Sequence, residues 1–434
     1  QTTAVVRSNV VNELTVTIET YHPQWVRVKF MDGTTPVIKR LAANTPTVFR
    51  SSECPDLPGG IVTNPVNNNI TIYCVAHIKN IEGLVDLKPS EIMIQQAKRL
   101  TSLDVHGTKN LVVLDVLNNT NLQTLNVKDC TKLGWDSASD SFAGGLNLKN
   151  CVNLRYCDIS NTGLTGLQLP ENTGSLEYFD ASTTNIDDIK MVGQPYIEEI
   201  KMTNCLHLGS VTASNCARLL KLNLANTTIS KLDITLCPRI DEINISGTSN
   251  LNNLSLNACQ TLRVLNMEGF KSPNYNTLNL STCPNIEHLY LSGTTNLANI
   301  TFAESAAKLK TLDISNSSIK SARFGQNVGF PNYLDLAQFN LTSIKFTNNN
   351  LIEHIKNLDY TGSGDHTFTN CKNLHTIECK QGGKLKLTGG LNQTFYSCSK
   401  LTGIPSEIDL SASTSSTEAF AGCSKITMAQ AKMI

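Results

Sequence analysis

A short apolar pattern, Leu-x-x-Leu-x-Leu, recurs through most of the chain and constrains its fold more than any other feature. It begins at Leu100–Val105 and returns at Leu111–Val116, Leu122–Val127 and Leu219–Leu224, among other places. The first three copies start 11 residues apart. Eleven residues are too few for one coil of a leucine-rich repeat, since such coils take roughly 20 to 29 residues. We therefore predict coils of about 22 residues, each built from two halves.

The alternation within each Leu-x-Leu triplet predicts which side chains form the core. In a strand the outer two residues of a triplet face one way and the middle residue faces the other. The outer, apolar residues of stacked coils should then form one continuous core. The pattern predicts a mostly β leucine-rich repeat solenoid with short strands on both sides. A parallel β-helix is the structural alternative, which the leucine spacing disfavours.

A small residue follows each triplet, five positions after its first apolar residue, and predicts a ladder along the turns. In one half of the coil it is often cysteine and in the other often threonine, and this difference supports the pairing of halves. The cysteines are Cys130, Cys151, Cys216, Cys237, Cys259 and Cys283. The threonines are Thr162, Thr184, Thr227, Thr248 and Thr294, with Cys205 as an exception. Most of the 14 cysteines are therefore expected to be buried thiols rather than disulfides.

Two segments interrupt the repeat. Gly134–Gly145 stands in place of an expected half-coil, and the spacing loosens near Gly325–Pro331. We predict that both are loops leaving the solenoid, where functional residues are disproportionately found.

The first 87 residues follow a different pattern. Leu14–Ile18 and Trp25–Phe30 alternate with a period of two, and Met31–Thr34 is a hairpin turn signal before a returning strand. We predict a small β-sandwich over residues 1–87. The run Phe30–Thr34 resembles the aromatic-x-Asp-Gly-Thr turn of the PKD-like Ig modules of bacterial surface proteins. Cys54 and Cys74 lie here, either as a disulfide or as two buried thiols.

The last part of the chain carries a second repeat type. Thr367–Leu374, Thr394–Leu401 and Ala419–Ile426 share the signature [Ala/Thr]-Phe-x-x-Cys-x-x-[Leu/Ile] and start 27 and 25 residues apart. This signature resembles the BspA-type leucine-rich repeats of Bacteroides-like bacteria, and related arrays occur in phages of such hosts. The predicted domains are thus the sandwich at 1–87, the solenoid at 88–355 and BspA-like repeats at 356–434. Because the last unit runs into residues 427–434 with no polar cap, and the chain opens on Gln1, we expect the natural chain to be longer.

The charge balance and motifs bear on function. Thirty-six basic and 36 acidic residues exclude capture of nucleic acid by a strong basic excess. No apolar run reaches about 18 residues, so no membrane-spanning helix is predicted. Metal-ligand, phosphate-loop and dinucleotide motifs are absent. Ser, Asp and His lie close together in Gly362–His366, but a turn is favoured over a catalytic triad. We predict no catalytic residue, no cofactor and no metal.

The outward-facing middle residues of the triplets form two polar ribbons. Either ribbon could bind a ligand, as repeat proteins use extended surfaces; a merely solvated face is the alternative. The predicted binding ribbon comprises Asp115, Asp158, Asp180, Lys201, Tyr290, Asp313 and Asp335.

The leucine-rich array and the two resemblances together imply a binding role rather than a reaction. We predict a non-catalytic extracellular adhesion protein at the bacterial cell surface. Its repeat surface would engage a protein or glycan on a host or another bacterium. The alternative is a structural or receptor-binding component of a phage virion.

Overall fold

The computed structural model of the chain describes residues 3–10, 13–60, 69–73, 77–136, 138–139, 141–142, 144–170, 174–257, 259–325 and 329–427. Contacts divide the chain into two compact units, an N-terminal unit (Gln1–Leu219) and a C-terminal unit (Leu220–Ile434). The described residues form short β-strands joined by turns, and none of them lies in an α-helix.

Two small sheets begin the N-terminal unit. Their strands are β1 (Thr3–Arg7), β2 (Thr15–Thr20), β3 (Gln24–Lys29), β4 (Val37–Leu41), β5 (Thr47–Arg50), β6 (Asn69–Tyr73), β7 (Ile78–Glu82) and β8 (Glu91–Ile94). One sheet has the order β8-β1-β6-β3-β4 and the other β5-β2-β7. Alternate residues of β2 and β3 are buried, as expected for strands with one face on a core. The β3–β4 hairpin predicted around Met31–Thr34 is confirmed. The described residues of this region also include short 3-10 turns at Ser51–Glu53, Pro58–Gly60 and Val85–Leu87.

The repeat coils of the N-terminal unit follow directly. Their strands are β9 (Ser102–Asp104), β10 (Val113–Asp115), β11 (Thr124–Asn126), β12 (Trp135–Asp136), β13 (Ser141–Phe142), β14 (Gly145–Asn147), β15 (Tyr156–Asp158), β16 (Gly166–Gln168), β17 (Tyr178–Asp180), β18 (Asp188–Lys190), β19 (Glu199–Lys201) and β20 (Ser210–Thr212). The N-terminal front sheet is parallel and has the order β9-β11-β15-β17-β19. The back strands are β10, β14, β16, β18 and β20. Strand β10 pairs in parallel with β8, so the first coil continues a sheet of the N-terminal region.

The C-terminal unit continues with the same kind of coil. Its strands are β21 (Lys221–Asn223), β22 (Lys231–Asp233), β23 (Glu242–Asn244), β24 (Val264–Asn266), β25 (Thr277–Leu280), β26 (His288–Tyr290), β27 (Asn299–Phe302), β28 (Thr311–Asp313), β29 (Ser321–Phe324), β30 (Leu334–Asp335), β31 (Ser343–Lys345), β32 (His354–Leu358), β33 (Tyr360–Ser363), β34 (Thr376–Cys379), β35 (Leu385–Gly390) and β36 (Ile408–Ser415). The C-terminal front sheet is β21-β23-β24-β26-β28-β31. The back sheet is β25-β27-β29-β30-β32-β34, and β33-β35-β36 form a third parallel sheet.

The paired residues of neighbouring coils confirm the predicted period. Ser102 pairs with Thr124 and Thr277 with Asn299, 22 residues later in each case. The chain is thus a leucine-rich repeat solenoid preceded by small β-sheets, as the pattern predicts. Two steps are 32 residues long, from Thr124 to Tyr156 and from Thr311 to Ser343. They contain the two predicted interruptions. The first is the antiparallel β12–β13 hairpin, and residues 326–328 of the second lie outside the described residues.

The ladder residues hold the turns together through hydrogen bonds. The Thr162 hydroxyl donates to the Ile159 carbonyl of its own coil (2.9 Å), and Thr248 does the same to Ile245 (2.8 Å). The cysteine thiols instead reach the preceding coil: Cys216 Sγ lies 3.0 Å from the Met191 carbonyl oxygen. Both residue types therefore satisfy carbonyl groups that a buried turn would otherwise leave unpaired.

The described cysteines are free thiols, as expected. All 13 are buried except Cys379, which is half-buried. Burial raises the pKa of Cys130 to about 12 and that of Cys151 to about 11. The Cys54 thiol donates to the Thr35 carbonyl (3.2 Å). Cys54 is therefore a buried free thiol, which is the second of the two alternatives that the sequence left open, and Cys74 lies outside the described residues.

The C-terminal repeats stack an aromatic column. The ring of Phe368 lies 5.6 Å from that of Phe346 and 5.0 Å from that of Phe395, which lies 5.1 Å from Phe420. The signature cysteine follows the same order, since Cys398 Sγ donates to the Phe368 carbonyl (3.0 Å). The phenylalanine ring of each repeat thus contacts the equivalent ring one coil away, and the cysteine thiol contacts the backbone carbonyl of that coil's phenylalanine.

Candidate functional site

The structure separates the predicted binding ribbon into four places. Asp158, Asp180 and Lys201 are neighbours on the N-terminal front sheet. Tyr290 and Asp313 are neighbours on the C-terminal front sheet. The placement of the other two residues was wrong.

Asp115 and Asp335 both lie on the back of their units. Asp115 ends back strand β10, opposite Met93, and Asp335 ends back strand β30, opposite Lys356. The front positions that we assigned to them belong to Asn126, which pairs with Asp158, and Lys345, which pairs with Asp313. The physical reason is that each inserted loop adds residues without advancing the chain to the other side of the coil.

Most acidic side chains of the ribbon close turns. Oδ1 of Asp158 accepts the backbone N–H of Ser160 (3.0 Å), and Oδ1 of Asp313 accepts that of Ser315 (3.0 Å). Asparagine does the same at Asn244, where Oδ1 accepts the N–H of Ser246. These are Asx turns, in which the side chain substitutes for a backbone acceptor. Their acceptor atoms are therefore part of the fold.

The sequence contained a signal for these turns that we missed. The residue three positions after the middle residue usually adopts a left-handed backbone, which Asn and Gly tolerate best. Asn161, Asn226 and Gly247 have φ values of 53°, 56° and 70°. The pattern [Asp/Asn]-apolar-x-[Asn/Gly] thus predicts an Asx turn rather than a ligand site.

Two stacked tyrosines distinguish one part of the N-terminal front sheet. Tyr156 and Tyr178 are in register on β15 and β17. Their rings lie 4.8 Å apart and 6° from parallel. Tyr156 is 36% exposed. On the side away from Tyr178, its neighbour in register is the smaller residue Thr124. We call Tyr156, Asp158, Tyr178, Asp180 and Lys201 the Tyr–Asp site.

Each tyrosine ring leans over the carboxylate two residues later in its strand. The hydroxyl of Tyr156 lies 3.5 Å from Asp158 Oδ2, and that of Tyr178 lies 3.3 Å from Asp180 Oδ2. Asp158 and Asp180 are consequently only 6% and 5% exposed. Burial, followed by the neighbouring carboxylates, raises the pKa of both tyrosines, so both remain neutral donors at physiological pH.

The two carboxylates differ in their positive partners. Lys201 Nζ lies 3.1 Å from Asp180 Oδ2, and this hydrogen bond raises the pKa of Lys201. Asp158 accepts hydrogen bonds from the backbone and hydroxyl of Ser160. Among the described residues, no cationic side chain lies within ion-pair distance of Asp158. The Tyr–Asp site therefore has one uncompensated negative charge.

The equivalent position of the C-terminal front sheet has fewer tyrosines. The rings of Tyr290 and His288 lie 6.5 Å apart on one strand. His288 Nδ1 lies 2.9 Å from the hydroxyl of Thr311, and Asp313 is held by Ser315. The Tyr290 and His288 rings are 12° from parallel, but Tyr290 is the one tyrosine in the described strands of this sheet, so no pair of tyrosine rings stacks across neighbouring strands here.

Other candidate chemistry lies in turns. Within Gly362–His366, Asp365 Oδ1 accepts the N–H of Asn392, and the His366 N–H donates to the Asn392 carbonyl. The described part of the chain places no group of three or more His, Cys, Asp or Glu side chains where they could hold a metal ion. Within the same residues, no helix is long and apolar enough to cross a membrane.

Comparison with known proteins gives a likeness to leucine-rich repeat structures. No family model matches the chain, and no curated protein matches it. One similar solved structure is the functional domain of InlJ from Listeria monocytogenes, which includes a cysteine ladder. It is 16% identical, with 68% of this chain and 75% of that chain covered and a TM-score of 0.30. A leucine-rich repeat protein of Leptospira interrogans is 14% identical over 78% of this chain and 88% of that chain, with a TM-score of 0.34. One from Bacteroides ovatus is 13% identical over 77% and 79%, with a TM-score of 0.25. No enzyme family is indicated by these comparisons.

Proposed function

We propose that this chain is a non-catalytic binding protein whose N-terminal front sheet holds a basic segment of a protein partner at the Tyr–Asp site. The observation that carries the proposal is the buried carboxylate of Asp158, which has no cation of the described residues within ion-pair distance, beside an exposed tyrosine ring. A buried charge is costly unless it is paired. A lysine or arginine of a partner would supply the missing positive charge.

The surroundings of Asp158 suit a cationic side chain. A cation over a tyrosine ring is attracted by the ring's negative face, and the strand position beside Tyr156 on the side away from Tyr178 is the small Thr124. Within the site, the Lys201 ammonium already pairs with the Asp180 carboxylate, which is the kind of cation–carboxylate contact proposed for Asp158. Tyrosine is also among the residues that most often dominate binding energy.

A direct test measures binding of a fluorescein-labelled peptide of alternating Arg and Gly by fluorescence anisotropy, with a Glu/Gly peptide as the negative control. The variant is Asp158→Asn. Because Asn closes the equivalent turn at Asn126 and Asn244, the fold should be retained and only the charge lost. We expect the dissociation constant for the Arg/Gly peptide to rise about tenfold.

A matched control is Asp233→Asn. Oδ1 of Asp233 accepts the N–H and hydroxyl of Thr235, as Asp158 does from Ser160, but Asp233 has no tyrosine beside it in its strand. This variant should bind like the unmodified chain. Equal affinities of both variants and the unmodified chain for the Arg/Gly peptide would rule the Tyr–Asp site out.

The biological setting of this binding is a further part of the proposal. The BspA-like and PKD-like resemblances support an extracellular adhesion role at a bacterial cell surface, which we propose for this chain, with a glycan as the other class of partner. Protease treatment of intact cells of the source organism tests it, because a surface protein is cleaved without lysis. Recovery of the chain in purified phage particles, with none on cells, would support the virion alternative.

A further inference from the structure

A second exposed surface lies on the outer face of the first sheet, away from its core. Trp25 is 61% exposed and Ile38 is 54% exposed, whereas Val26 and Val28 between the outward residues are fully buried. An indole and an aliphatic side chain exposed together on one sheet face are typical of an interaction site. Trp25 faces Arg40 across the β3–β4 pair, and Arg27 faces Ile38. Apolar and cationic side chains thus alternate on this face.

Within the described part of the chain, the cationic side chains of this surface lack the carboxylate partners that other cationic side chains of the same region have. Arg7 pairs with Glu91 (3.0 Å), and Lys39 pairs with Glu53 (2.7 Å). Among the described residues, Arg27, Lys29 and Arg40 have no carboxylate within ion-pair distance. The guanidinium of Arg27 lies instead over the ring of Tyr73, 5.2 Å from its centroid. We call Trp25, Arg27, Lys29, Ile38 and Arg40 the Trp–Arg patch.

We propose that the Trp–Arg patch binds an extended acidic peptide segment of a partner protein. Arginine guanidinium groups pair with carboxylates through two parallel hydrogen bonds, and Trp and Arg are the residues most enriched among binding hot spots. This site has the opposite charge preference to the Tyr–Asp site and lies on a different sheet, so it is independent of the function proposed above.

The spacing of the patch determines the expected peptide pattern. Trp25, Arg27 and Lys29 are alternate residues of one strand, so their side chains emerge about 6.6 Å apart. An extended peptide repeats its own alternate side chains at the same distance. An apolar-x-acid-x-acid segment along β3 would therefore place its apolar side chain on Trp25 and its two carboxylates on Arg27 and Lys29.

The experiment uses the full chain and the labelled peptide Phe-Ser-Glu-Ser-Glu-Ser, with binding followed by fluorescence anisotropy at low salt. The comparison peptides are Phe-Glu-Glu-Ser-Ser-Ser, which has the same composition with the wrong spacing, and a version with Lys in place of Glu. We expect the spaced acidic peptide to bind tightest and the Lys peptide not to bind. The double variant Arg27→Gln/Lys29→Gln should weaken the spaced peptide about tenfold or more, because it removes both proposed partners of the carboxylates.

Matched variants separate the patch from general surface effects. Trp25→Ala should also weaken the spaced peptide, and its melting midpoint should be unchanged because the side chain is exposed. Tyr196→Ala and Arg239→Gln remove an exposed aromatic ring and an exposed guanidinium elsewhere in the chain, and both should leave the affinity unchanged. Should Trp25→Ala destabilise the fold, Lys29→Gln provides the same test without altering an apolar residue.

Two results would overturn the proposal. One is equal binding of the spaced and unspaced acidic peptides by all variants. The other is binding of the polyanionic glycan heparin that depends on Arg27 and Lys29 while neither peptide binds, which would assign the patch to a glycan. Asp158→Asn must leave the acidic peptide unaffected, so failure here is distinguishable from failure of the Tyr–Asp site.

Discussion

Replacing Asp313 with alanine tests whether the polar ribbon closes turns. Asp313 is 8% exposed, and its Oδ1 accepts the backbone N–H (3.0 Å) and the hydroxyl (2.6 Å) of Ser315, which is also buried. Alanine would leave both donors without this acceptor. A buried donor that loses its partner costs about 1–3 kcal/mol. For the two donors together we expect the free energy of unfolding to fall by about 2–4 kcal/mol, since the hydroxyl can rotate to another partner.

The comparison variant is Asp313→Asn, which keeps an oxygen acceptor at the same place. Asn244 already closes the equivalent turn on the same sheet, so this variant should lose far less stability than Asp313→Ala. Urea unfolding measures the global change. Hydrogen exchange of the Ser315 amide measures the local one, and exchange should accelerate in the alanine variant alone. Equal stability and equal Ser315 protection in the two variants would refute the assignment of Asp313 to a turn.

The remaining predictions concern the ladder and the aromatic column. Native Cys216 and Cys259 should react with a thiol reagent only after denaturation; fast native labelling would contradict their burial. Burial raises the folded pKa of Cys130 to about 12, against 9.0 for an unperturbed thiol. As the pH rises, this thiol therefore ionises first in the unfolded chain. The contribution of Cys130 to the free energy of unfolding is constant below about pH 9 and should be lost between pH 9 and 12, so the free energy of unfolding should fall less steeply with pH in Cys130→Thr. Equal slopes of unfolding free energy against pH in the two proteins, measured by urea unfolding, would argue against this. Phe395→Ala should cost about 3–5 kcal/mol, whereas the exposed Phe330→Ala should cost about 0.5 kcal/mol or less, and similar denaturation midpoints would show that the column is not a core element.

The core could be predicted because one period determines it. In a repeat, every coil places the same sequence position in the same environment, so the apolar residues of each Leu-x-Leu triplet predict one another. Leu103, Leu125 and Leu265 are fully buried as that pattern requires. The ladder could also be predicted from the sequence, since small residues recur at one position of the repeat. The pattern did not separate the roles of Cys and Thr, because reaching the previous coil or the same coil depends on side-chain length and backbone geometry.

The Tyr–Asp site could have been recognised in the sequence, but a search for polar outward residues alone did not find it. Tyr156-Cys-Asp158 and Tyr178-Phe-Asp180 are the same motif one coil apart, and parallel stacking of coils places equal positions side by side. The prediction considered only the middle residue of each triplet and therefore found the carboxylates without the rings above them. Likewise, the alternation of Trp25–Phe30 already places Trp25 opposite to the buried valines. Its exposure then depends on whether another element covers that face, which the alternation does not determine.

The misplacement of Asp115 follows from how a loop is counted. We treated Gly134–Gly145 as a substitute for a half-coil, which made Asp115 and Asp158 members of one series. In the structure the loop begins and ends at one point, because the Gly144 N–H donates to the Gly134 carbonyl (2.9 Å). A Cβ on Gly144 would lie 2.7 Å from the Cα of Gly134, so only glycine permits this approach. A loop whose ends meet returns the chain to the side it left. The next strand is therefore back strand β14, and the positions from Asp158 to Asp313 that we grouped with Asp115 lie on front strands instead.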